Sequence, residues 1–291
     1  MCEIGQPRSS RFVAESTPVG WQGVYGGAMD RCKGKWALIT GASAGIGREM
    51  ARLLAADGTN LVLTARRRER LDDLAAEARS RHGVQVEVFA ADLSSPEAPR
   101  AIFDFTREKG IEVELLVNNA GFGAHGEFHA KPFQRLREMI EVNIGAVLHL
   151  THLFLPQMIE RGRGDILIVS STAAFQAVPY IATYAATKSF ELFWAEALAE
   201  EVRHYGVRVC AFCPGTTTTE FQQVAGSPQN ALRVPETAEK VARTGLRAMA
   251  AGKRMAISGR RNWVGAQMQR VLPRAVIGKV AARLFREAND K

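Results

Sequence analysis

Residues 40–55 read TGASAGIGREMARLLA, and this stretch decides which class of fold the chain adopts. It follows the apolar run KWALI, which predicts a strand, and it continues into a pattern that predicts a helix. Its glycines, Gly41, Gly45 and Gly47, permit a tight turn and a close approach of the backbone to a ligand. Free N–H groups at the start of a helix attract phosphate. The stretch therefore predicts a turn that binds the phosphates of a dinucleotide.

The alternation of strand and helix continues along the chain. Runs rich in Val, Ile and Leu predict strands at KWALIT, NLVLTA, VQVEVFA, ELLVNNA, DILIVSS and VRVCAFC. Helical patterns lie between or after them at 48–56, 68–81, 96–109, 132–160 and 183–204. Strands that are apolar throughout suit a parallel sheet covered on both faces. We therefore predict an α/β fold, a doubly wound parallel sheet with helices on both faces.

The alternation of strands and helices is lost near both ends of the chain and in one internal segment. Residues 1–33 predict a loosely ordered extension, 34–260 a dinucleotide-binding catalytic domain, and 261–291 a basic amphipathic segment. Residues 214–234 have no period and are too long for a simple connection, so they predict a lid or binding loop. Arg233 is the one positive charge in that loop.

The formal charge of +8 is concentrated near the C-terminus. From Ala251 onward, ten Lys or Arg residues stand against two acids, so this segment carries the whole excess. A general affinity for nucleic acid is therefore not expected. No apolar run approaches the ~20 residues that a membrane span needs, and residues 1–30 lack the apolar block of a signal peptide. We expect a cytoplasmic protein, with peripheral contact to a membrane as the open alternative.

Cysteine and histidine spacing does not predict a metal site. Cys210 and Cys213 form a C-x-x-C, but they lie in a predicted strand, where a three-residue offset points side chains to opposite faces. His149 and His152 have no third ligand nearby in sequence. We expect small core cysteines, ordinary helix histidines and no metal.

The end of the second predicted strand indicates which dinucleotide binds. An NAD enzyme usually places an acid there to hold the ribose 2′-hydroxyl, whereas a 2′-phosphate calls for Arg. This strand ends in Ala65, followed by Arg66 and Arg67. The alternative is a solvated first helical turn, but basic residues disfavour a helix N-terminus. The sequence favours NADP(H) over NAD(H).

Tyr184 and Lys188 stand four residues apart in the predicted helix YAATKSFELFWAEALAEEV. Residues i and i+4 share one face of a helix, so the phenol and the ammonium would lie side by side. An opposite charge at close range favours the ionised phenol. The spacing is consistent with a proton-transfer pair, and equally with an ordinary helix carrying a surface lysine.

Six motifs resemble, in order and spacing, those of the short-chain dehydrogenase/reductase family: TGASAGIG, NNAG at 118–121, EVNIGA with Asn143, IVSSTAA with Ser171, YAATK and PGTTTTEF. The resemblance covers roughly Lys33 to Ser258. It implies a Rossmann-type domain that transfers a hydride between NADP(H) and a carbonyl or secondary alcohol. Members are commonly homodimers or homotetramers, and we expect the same here.

The resemblance also implies roles for individual residues. Ser171 and Tyr184 would hydrogen-bond the substrate oxygen, with Tyr184 exchanging the proton. Lys188 would bind the nicotinamide ribose and lower the pKa of Tyr184, and Asn143 would hold a water behind Lys188. The implied cofactor contacts are Gly41, Ser43, Gly45, Ile46, Gly47, Arg66, Arg67, Asp92, Leu93, Asn118, Ala120, Gly121, Tyr184, Lys188, Pro214, Gly215, Thr217 and Thr219.

Substrate specificity would come from the segments after NNAG, Ser171 and PG. These supply the predicted pocket residues Phe122, Phe175, Val178, Tyr180 and Phe221. The pocket is therefore expected to be apolar and to accept a hydrophobic ketone, aldehyde or alcohol as the small-molecule substrate.

The C-terminal segment has Val276, Val280 and Leu284 at spacing four, with bases on the other face. One interpretation is a helix on an anionic membrane surface or over a pocket for a lipid-like substrate. The other is a helix that packs this stripe on its own domain or on a second subunit. Pro273 would interrupt such a helix.

Two other functions stay open at this stage. A non-catalytic protein that senses NADP could share the fold, because fold alone does not fix function. A peripheral membrane protein could act through its basic tail.

Overall fold

The computed structural model describes residues 31–226, 235–269 and 271–285. The strands in these residues are β1 (Trp36–Thr40), β2 (Asn60–Ala65), β3 (Val86–Ala90), β4 (Val113–Asn118), β5 (Gly164–Val169), β6 (Val207–Cys213), β7 (Thr217–Thr218), β8 (Glu236–Thr237) and β9 (Met255–Ile257). The α-helices are α1 (Gly45–Ala56), α2 (Arg68–His82), α3 (Ala98–Glu108), α4 (Phe133–Ile140), α5 (Ala146–Glu160), α6 (Ala182–Val202), α7 (Phe221–Ala225), α8 (Ala238–Ala250), α9 (Arg260–Met268) and α10 (Arg274–Phe285).

Seven strands form one parallel sheet in the order β3-β2-β1-β4-β5-β6-β9. The predicted doubly wound α/β fold is confirmed. The strand order reverses direction between β1 and β4, and in such sheets ligands bind outside the carboxyl ends of the strands at this switch point. β7 and β8 form a separate two-stranded parallel pair.

Two hydrophobic clusters cover the two faces of the sheet. Ile39 faces the layer formed by α1, α2 and α8, and its neighbour Leu38 faces the layer of α3, α5 and α6. This alternation is the period of two that a strand imposes. Cys210 and Cys213 are buried in opposite clusters, as their strand offset predicts.

The long helix predicted at 132–160 is interrupted by a π-helical turn, Glu141–Gly145, between α4 and α5. Such turns occur often at functional sites, and this one contains Asn143. By length and composition alone, Phe133–Glu160 is apolar enough to cross a membrane. A core helix of a globular protein passes the same test, and Leu150 and Phe154 of α5 are buried against the sheet.

The chain ends are described in part. The extension up to residue 30 and the loop residue Arg233 lie outside the described residues, and the division into three segments stays a prediction. Pro273 separates α9 from α10, as the sequence predicts.

Candidate active site

The glycine turn lies between β1 and α1 at the carboxyl edge of the sheet. Gly41 has a φ of +69°, and a Cβ on Gly47 would lie 2.6 Å from the Gly41 carbonyl oxygen. The turn therefore closes only without side chains at these positions. Ala44 precedes α1 and gives it no side-chain cap. The first N–H groups of α1 are thus available to a phosphate.

Basic side chains lie at the end of β2, beside the glycine turn. Arg67 Nη2 donates to Ser43 Oγ over 3.3 Å, and Arg66 Nη1 lies 4.0 Å from Asp92 Oδ2. Arg67 also donates to the Glu220 carboxylate over 2.7 Å. The uncapped helix, the glycine turn and these guanidinium groups fit a nicotinamide dinucleotide.

Ser171 and Tyr184 come from different elements and meet at the edge of the sheet. Ser171 follows β5, and its Oγ accepts a hydrogen bond from Ala173 N over 3.1 Å. Tyr184 lies in the first turn of α6 and packs on the Phe221 ring, with 5.3 Å between ring centroids. The Tyr184 and Ser171 side chains are hydrogen-bonded to each other. Two hydroxyls are thus available to one substrate oxygen.

Lys188 is buried one turn after Tyr184, and its ammonium is fully engaged. Nζ donates to Val169 O over 2.9 Å and to both carboxylate oxygens of Glu191, over 2.8 and 2.9 Å. An ammonium has three protons, so these acceptors use all of them. Glu191 was not among the predicted site residues, although an acid three residues after a lysine on a helix was a signal that could have revealed it.

The pKa of Tyr184 differs from the sequence-based expectation. Burial raises it, while the Lys188 ammonium and the hydrogen bond with Ser171 lower it. Glu191 raises it further, and the net pKa lies above the ordinary tyrosine value. Lys188 acts in the predicted direction, but burial outweighs it because the phenolate loses the hydration that water would give.

Asn143 connects the π-helical turn to the site. Its Nδ2 donates to Phe122 O over 3.1 Å and to Thr187 Oγ1 over 2.9 Å, and its Oδ1 accepts from Phe122 N over 3.1 Å. Both amide protons are therefore used in holding the segment after NNAG against α6. The role of Asn143 in holding a water stays a prediction.

A cavity of about 1380 Å³ joins the two ends of the site. Ser171, Tyr184 and Lys188 line it, and Asn143 lies behind them, fully buried. The predicted cofactor residues that line it are Gly41, Ser43, Gly45, Ile46, Arg66, Arg67, Asp92, Leu93, Ala120, Gly121, Tyr184, Lys188, Pro214, Gly215, Thr217 and Thr219.

Two predicted cofactor residues do not line the cavity. Asn118 points into the core, where its Nδ2 donates to Thr151 Oγ1 over 3.1 Å, because its side chain faces the α5 side of β4. The next residue, Asn119, lines the cavity instead. Gly47 lies beneath the turn, against Gly41 O and Asn119. Its contribution is to let the turn close.

The predicted substrate pocket needs a similar correction. Phe122, Val178 and Phe221 line the cavity, whereas Phe175 and Tyr180 do not. Phe175 packs against the buried cluster on the α6 side of the sheet. Tyr180 has a φ of +67°, and its ring lies beside His125, with 6.2 Å between centroids. This backbone reversal turns Tyr180 away from the cavity, and nothing in the local sequence pattern signals it.

We call the part of the cavity lined by Phe122, Val178 and Phe221 the substrate end. The two C-terminal helices, α9 and α10, cover it. Arg261 and Gln269 of this region line the cavity, as do Leu284 and Phe285 of α10. His125 Nε2 and the Phe285 carbonyl oxygen are 2.7 Å apart. The loop after β4 is therefore in contact with α10, and residues of α10 close this side of the pocket.

The apolar stripe predicted in the tail is divided by the tertiary structure. Ala281 is buried against the cluster that contains Tyr184, while Val276 and Val280 are exposed. The face of α10 that packs on the domain thus includes Ala281 and Phe285 but neither of the two valines. Of the predicted stripe, Leu284 lines the cavity while Val276 and Val280 stay exposed, so the choice between a membrane and a protein partner for this face stays a prediction.

Arg135 was also missed by the sequence reasoning. Its guanidinium carbon lies 4.0 Å from the centroid of the Phe122 ring, and both residues line the cavity. A guanidinium over an aromatic face is a favourable arrangement. Arg135 and Arg261 add two cations to the lining beyond Arg66, Arg67 and Lys188, whereas the sequence predicted an apolar substrate pocket.

Comparison with known proteins now assigns the family. The family model described as short chain dehydrogenase matches residues 35–230. This chain belongs to the short-chain dehydrogenase family. The predicted enzyme class, an oxidoreductase that binds a nicotinamide cofactor, is confirmed at the level of this family.

Among curated short-chain dehydrogenases, the very-long-chain 3-oxoacyl-CoA reductase of Phaeosphaeria nodorum is 37% identical over 199 residues, 66% of this chain and 58% of the relative. This chain thus spans somewhat more than half the length of that relative. The 7beta-hydroxysteroid dehydrogenase of Collinsella aerofaciens is 33% identical over 198 residues, 67% of this chain and 74% of the relative.

Solved structures agree. A 7beta-hydroxysteroid dehydrogenase structure superposes with a TM-score of 0.79 at 27% identity, over 88% of this chain and 99% of the other. A short-chain dehydrogenase from Sphingobium yanoikuyae in complex with NADPH gives a TM-score of 0.74 at 30% identity, over 88% and 98%.

The expectation of a cytoplasmic protein is wrong in light of the relatives named for very-long-chain 3-oxoacyl-CoA. Each buried CH₂ contributes about 0.8 kcal/mol, so a very long acyl chain is held in membranes rather than in water. The expectation rested on the lack of an apolar run in the sequence, which says nothing about where a substrate resides.

Proposed function

We propose that this protein uses NADPH to reduce a hydrophobic ketone or aldehyde, or NADP⁺ to oxidise the corresponding alcohol. One observation carries the proposal: Ser171, Tyr184 and Lys188 line the same cavity as the uncapped N-terminus of α1. A proton donor and a dinucleotide site thus open into one space, which is what hydride transfer to a carbonyl requires.

The bound cofactor would supply the hydride. The hydroxyls of Ser171 and Tyr184 hold the substrate oxygen, and Tyr184 donates its proton as negative charge develops there. The raised pKa keeps the Tyr184 phenol protonated at neutral pH, which suits the donor role in reduction. Lys188 stabilises the phenolate that remains, because its ammonium lies 5.9 Å from the ring centroid.

The preference for NADP(H) rests on the guanidinium groups at the end of β2. Arg66 and Arg67 are exposed and flank Ser43 and Asp92 at one end of the cavity. A 2′-phosphate carries charge that Arg binds in a bidentate manner. β2 ends in Ala65, so the Asp or Glu that usually holds the ribose 2′-hydroxyl of NAD is replaced by alanine.

The substrate class follows from the other end of the cavity. Phe122, Val178, Phe221 and Phe285 give it a large apolar wall. The relatives are named for a steroid and for very-long-chain acyl thioesters, both bulky and hydrophobic. We therefore favour a ketone on a bulky apolar skeleton, with Arg135 and Arg261 near any polar end.

A screen of hydrophobic ketones and alcohols with NADPH and NADH tests the proposal. Turnover with NADPH should fall about 10²- to 10⁴-fold in Tyr184→Phe, because the proton donor is lost. Tyr205→Phe, an exposed tyrosine beyond the end of α6, is the matched control and should keep full activity. Tight NADPH binding without turnover on any substrate would instead favour the NADP-sensing alternative.

We also propose that α9 and α10 contact an anionic membrane surface. Exposed apolar side chains on and between these helices are Trp263, Val264, Met268, Val271, Leu272, Val276 and Val280. The exposed bases beside them are Arg260, Arg261, Arg274, Lys279 and Arg283. Apolar and basic groups together are typical of helices that lie in a membrane interface.

Sedimentation with vesicles tests this contact. The full chain should sediment with phosphatidylserine-containing vesicles and less with phosphatidylcholine alone, because anionic lipid attracts the bases. Val276→Glu combined with Val280→Glu should release it, whereas Phe128→Glu, an exposed aromatic outside these helices, should not. Equal binding by all three proteins would refute the contact.

For the oligomer, we propose a homodimer or homotetramer built through α4 and α6. Phe133, Ile140 and Phe193 are large, apolar and exposed on these helices. Large apolar groups left exposed on a folded domain are typical of interaction surfaces. Light scattering after size exclusion should give a multiple of 31.8 kDa, and Phe193→Glu should lower that mass.

A further inference from the structure

Glu191 is a buried acid next to the catalytic lysine that the proposed mechanism does not use. It lies on α6, one turn after Lys188, and its side chain is 1% exposed. Such a group is costly to bury unless it is paired and hydrogen-bonded. Both of its oxygens accept hydrogen bonds from Lys188 Nζ. The pair is therefore a built feature of the site and not a chance surface contact.

The pairing restricts what Lys188 can do. Its third proton goes to Val169 O, so no donor is left for a cofactor ribose while the Glu191 contact is bidentate. Binding a ribose requires Lys188 to give up at least one of these hydrogen bonds. Glu191 thus competes with the cofactor for the ammonium.

The carboxylate also acts on Tyr184. The Lys188 ammonium lowers the pKa of Tyr184, and Glu191 raises it, since the two charges are adjacent and of opposite sign. A cation paired with an anion presents a weaker field at distance than a free cation does. Glu191 and Lys188 lie on the same helix, α6, so a rigid-body movement of that helix cannot separate the two charges.

Few other titratable groups share the surroundings of Glu191. Burial raises the pKa of the Glu191 carboxyl to about 7, and Lys188 opposes that rise. From β6, the buried Cys213 thiol faces it, and Glu191 in turn raises the Cys213 pKa. Lys188 and Tyr184 face it from α6 itself.

We propose that Glu191 is a positioning residue for Lys188. The negative charge of Glu191 limits how strongly Lys188 favours the ionised phenol of Tyr184. The inference rests on the proposed function, because it concerns the same proton donor. Its consequence is that the charge at position 191 decides the alkaline limit of carbonyl reduction.

The direction of the effect follows from the role of Tyr184. In reduction, the phenol must carry a proton, so the rate falls as pH rises through the pKa of Tyr184. Removing the Glu191 charge leaves the Lys188 ammonium uncompensated and lowers that pKa. The alkaline limb of the rate profile therefore moves to lower pH in Glu191→Gln.

The primary test is a spectroscopic titration that needs no turnover. Phenolate absorbance is followed against pH in the parent protein and in Glu191→Gln, each paired with its Tyr184→Phe version, so that the difference reports Tyr184 alone. We expect the pKa of Tyr184 to fall by about one unit, a tenfold change in the ionised fraction. Glu191→Asp keeps the charge and should return the pKa towards the parent value.

Glu201→Gln is the matched control, because it makes the same change at an exposed position of α6. It should leave the titration unchanged. If Glu191→Gln does not fold, Glu191→Leu fills a similar volume without charge and carries the same expected shift. An unchanged Tyr184 titration in a folded charge-removing variant overturns the inference.

The same variants then enter the pH profile of kcat/KM for NADPH-dependent reduction. A shift of the alkaline limb to lower pH by about one unit in Glu191→Gln supports the proposal. A shift to higher pH, or no shift, would contradict it. If no carbonyl is reduced but the titration shifts as expected, the proposed function fails and the role of Glu191 stands.

Discussion

The cofactor end and the substrate end of the cavity are built in different ways. The cofactor end comes from neighbouring segments: Gly41–Gly47 lie within one turn, and Arg66 and Arg67 follow the next strand. The substrate end combines Phe122 with Phe221 and with Phe285 of the last described helix. A site made of contiguous motifs can be identified from sequence, whereas a site made of distant segments depends on how they pack.

Gly47→Ala should give the largest effect and sharpens the comparison at the cofactor end. The new Cβ would lie 2.6 Å from Gly41 O, so we expect the free energy of unfolding to fall by about 1–3 kcal/mol and NADPH binding to weaken. Thermal unfolding and fluorescence titration measure the two effects.

Gly265→Ala at the substrate end is the matched control for Gly47→Ala. An added Cβ there meets no atom within 4 Å among the described residues, and helix propensity favours the change by about 0.5–1 kcal/mol. If Gly47→Ala lowered the free energy of unfolding no more than Gly265→Ala does, the glycine turn would not be closely packed.

Arg66→Ala should give the next largest effect, and it is confined to the choice of cofactor. A hydrogen bond to a charged group is worth about 1.5–3 kcal/mol, so NADPH affinity should fall by about 10- to 100-fold. NADH affinity should stay constant, because NADH lacks the 2′-phosphate. Arg68→Ala, an exposed neighbour paired with Asp72, is the control; parallel losses for both cofactors would contradict the assignment.

Phe285→Ala tests the substrate end. Phe285 lines the cavity and packs with the cluster around Tyr184. Losing part of an apolar contact worth about 1.5–3 kcal/mol when fully buried should raise the KM of a bulky ketone about tenfold. NADPH affinity should not change, and Val280→Ala on the exposed face of α10 should leave both quantities unaltered. A change in cofactor affinity would break the division between the two ends.

Glu220→Gln should give the smallest effect, although it joins the two ends. Glu220 lines the cavity next to Phe221 and pairs with Arg67 at 2.7 Å and Arg70 at 2.5 Å. Exposed ion pairs contribute about 0–1 kcal/mol, so we expect less than about a fivefold change in NADPH affinity or in ketone KM. A much larger change in both would show that the two ends act as one unit.

The parallel sheet and the cofactor turn could be predicted because their signals are local. Continuous apolar strands such as 61–64 and the glycines before α1 carry the information in a few adjacent residues. Tyr180 and Phe175 could not be placed, because a single left-handed backbone conformation at Tyr180 and the packing of Phe175 on α6 leave no periodic trace. The Asn118 side chain faces the core and its neighbour Asn119 lines the cavity, because adjacent residues of a strand point to opposite faces.

By itself, the sequence determined the family and the fold, and it supplied the members of the proposed proton-transfer group, because Ser171, Tyr184 and Lys188 occur in short local motifs. The tertiary structure decided the rest. It buried Lys188 against Glu191, raised the pKa of Tyr184 through desolvation and placed α10 over the substrate end. The physical reason is that charge, burial and pocket shape depend on every group nearby in space, and most of those groups are distant along the chain.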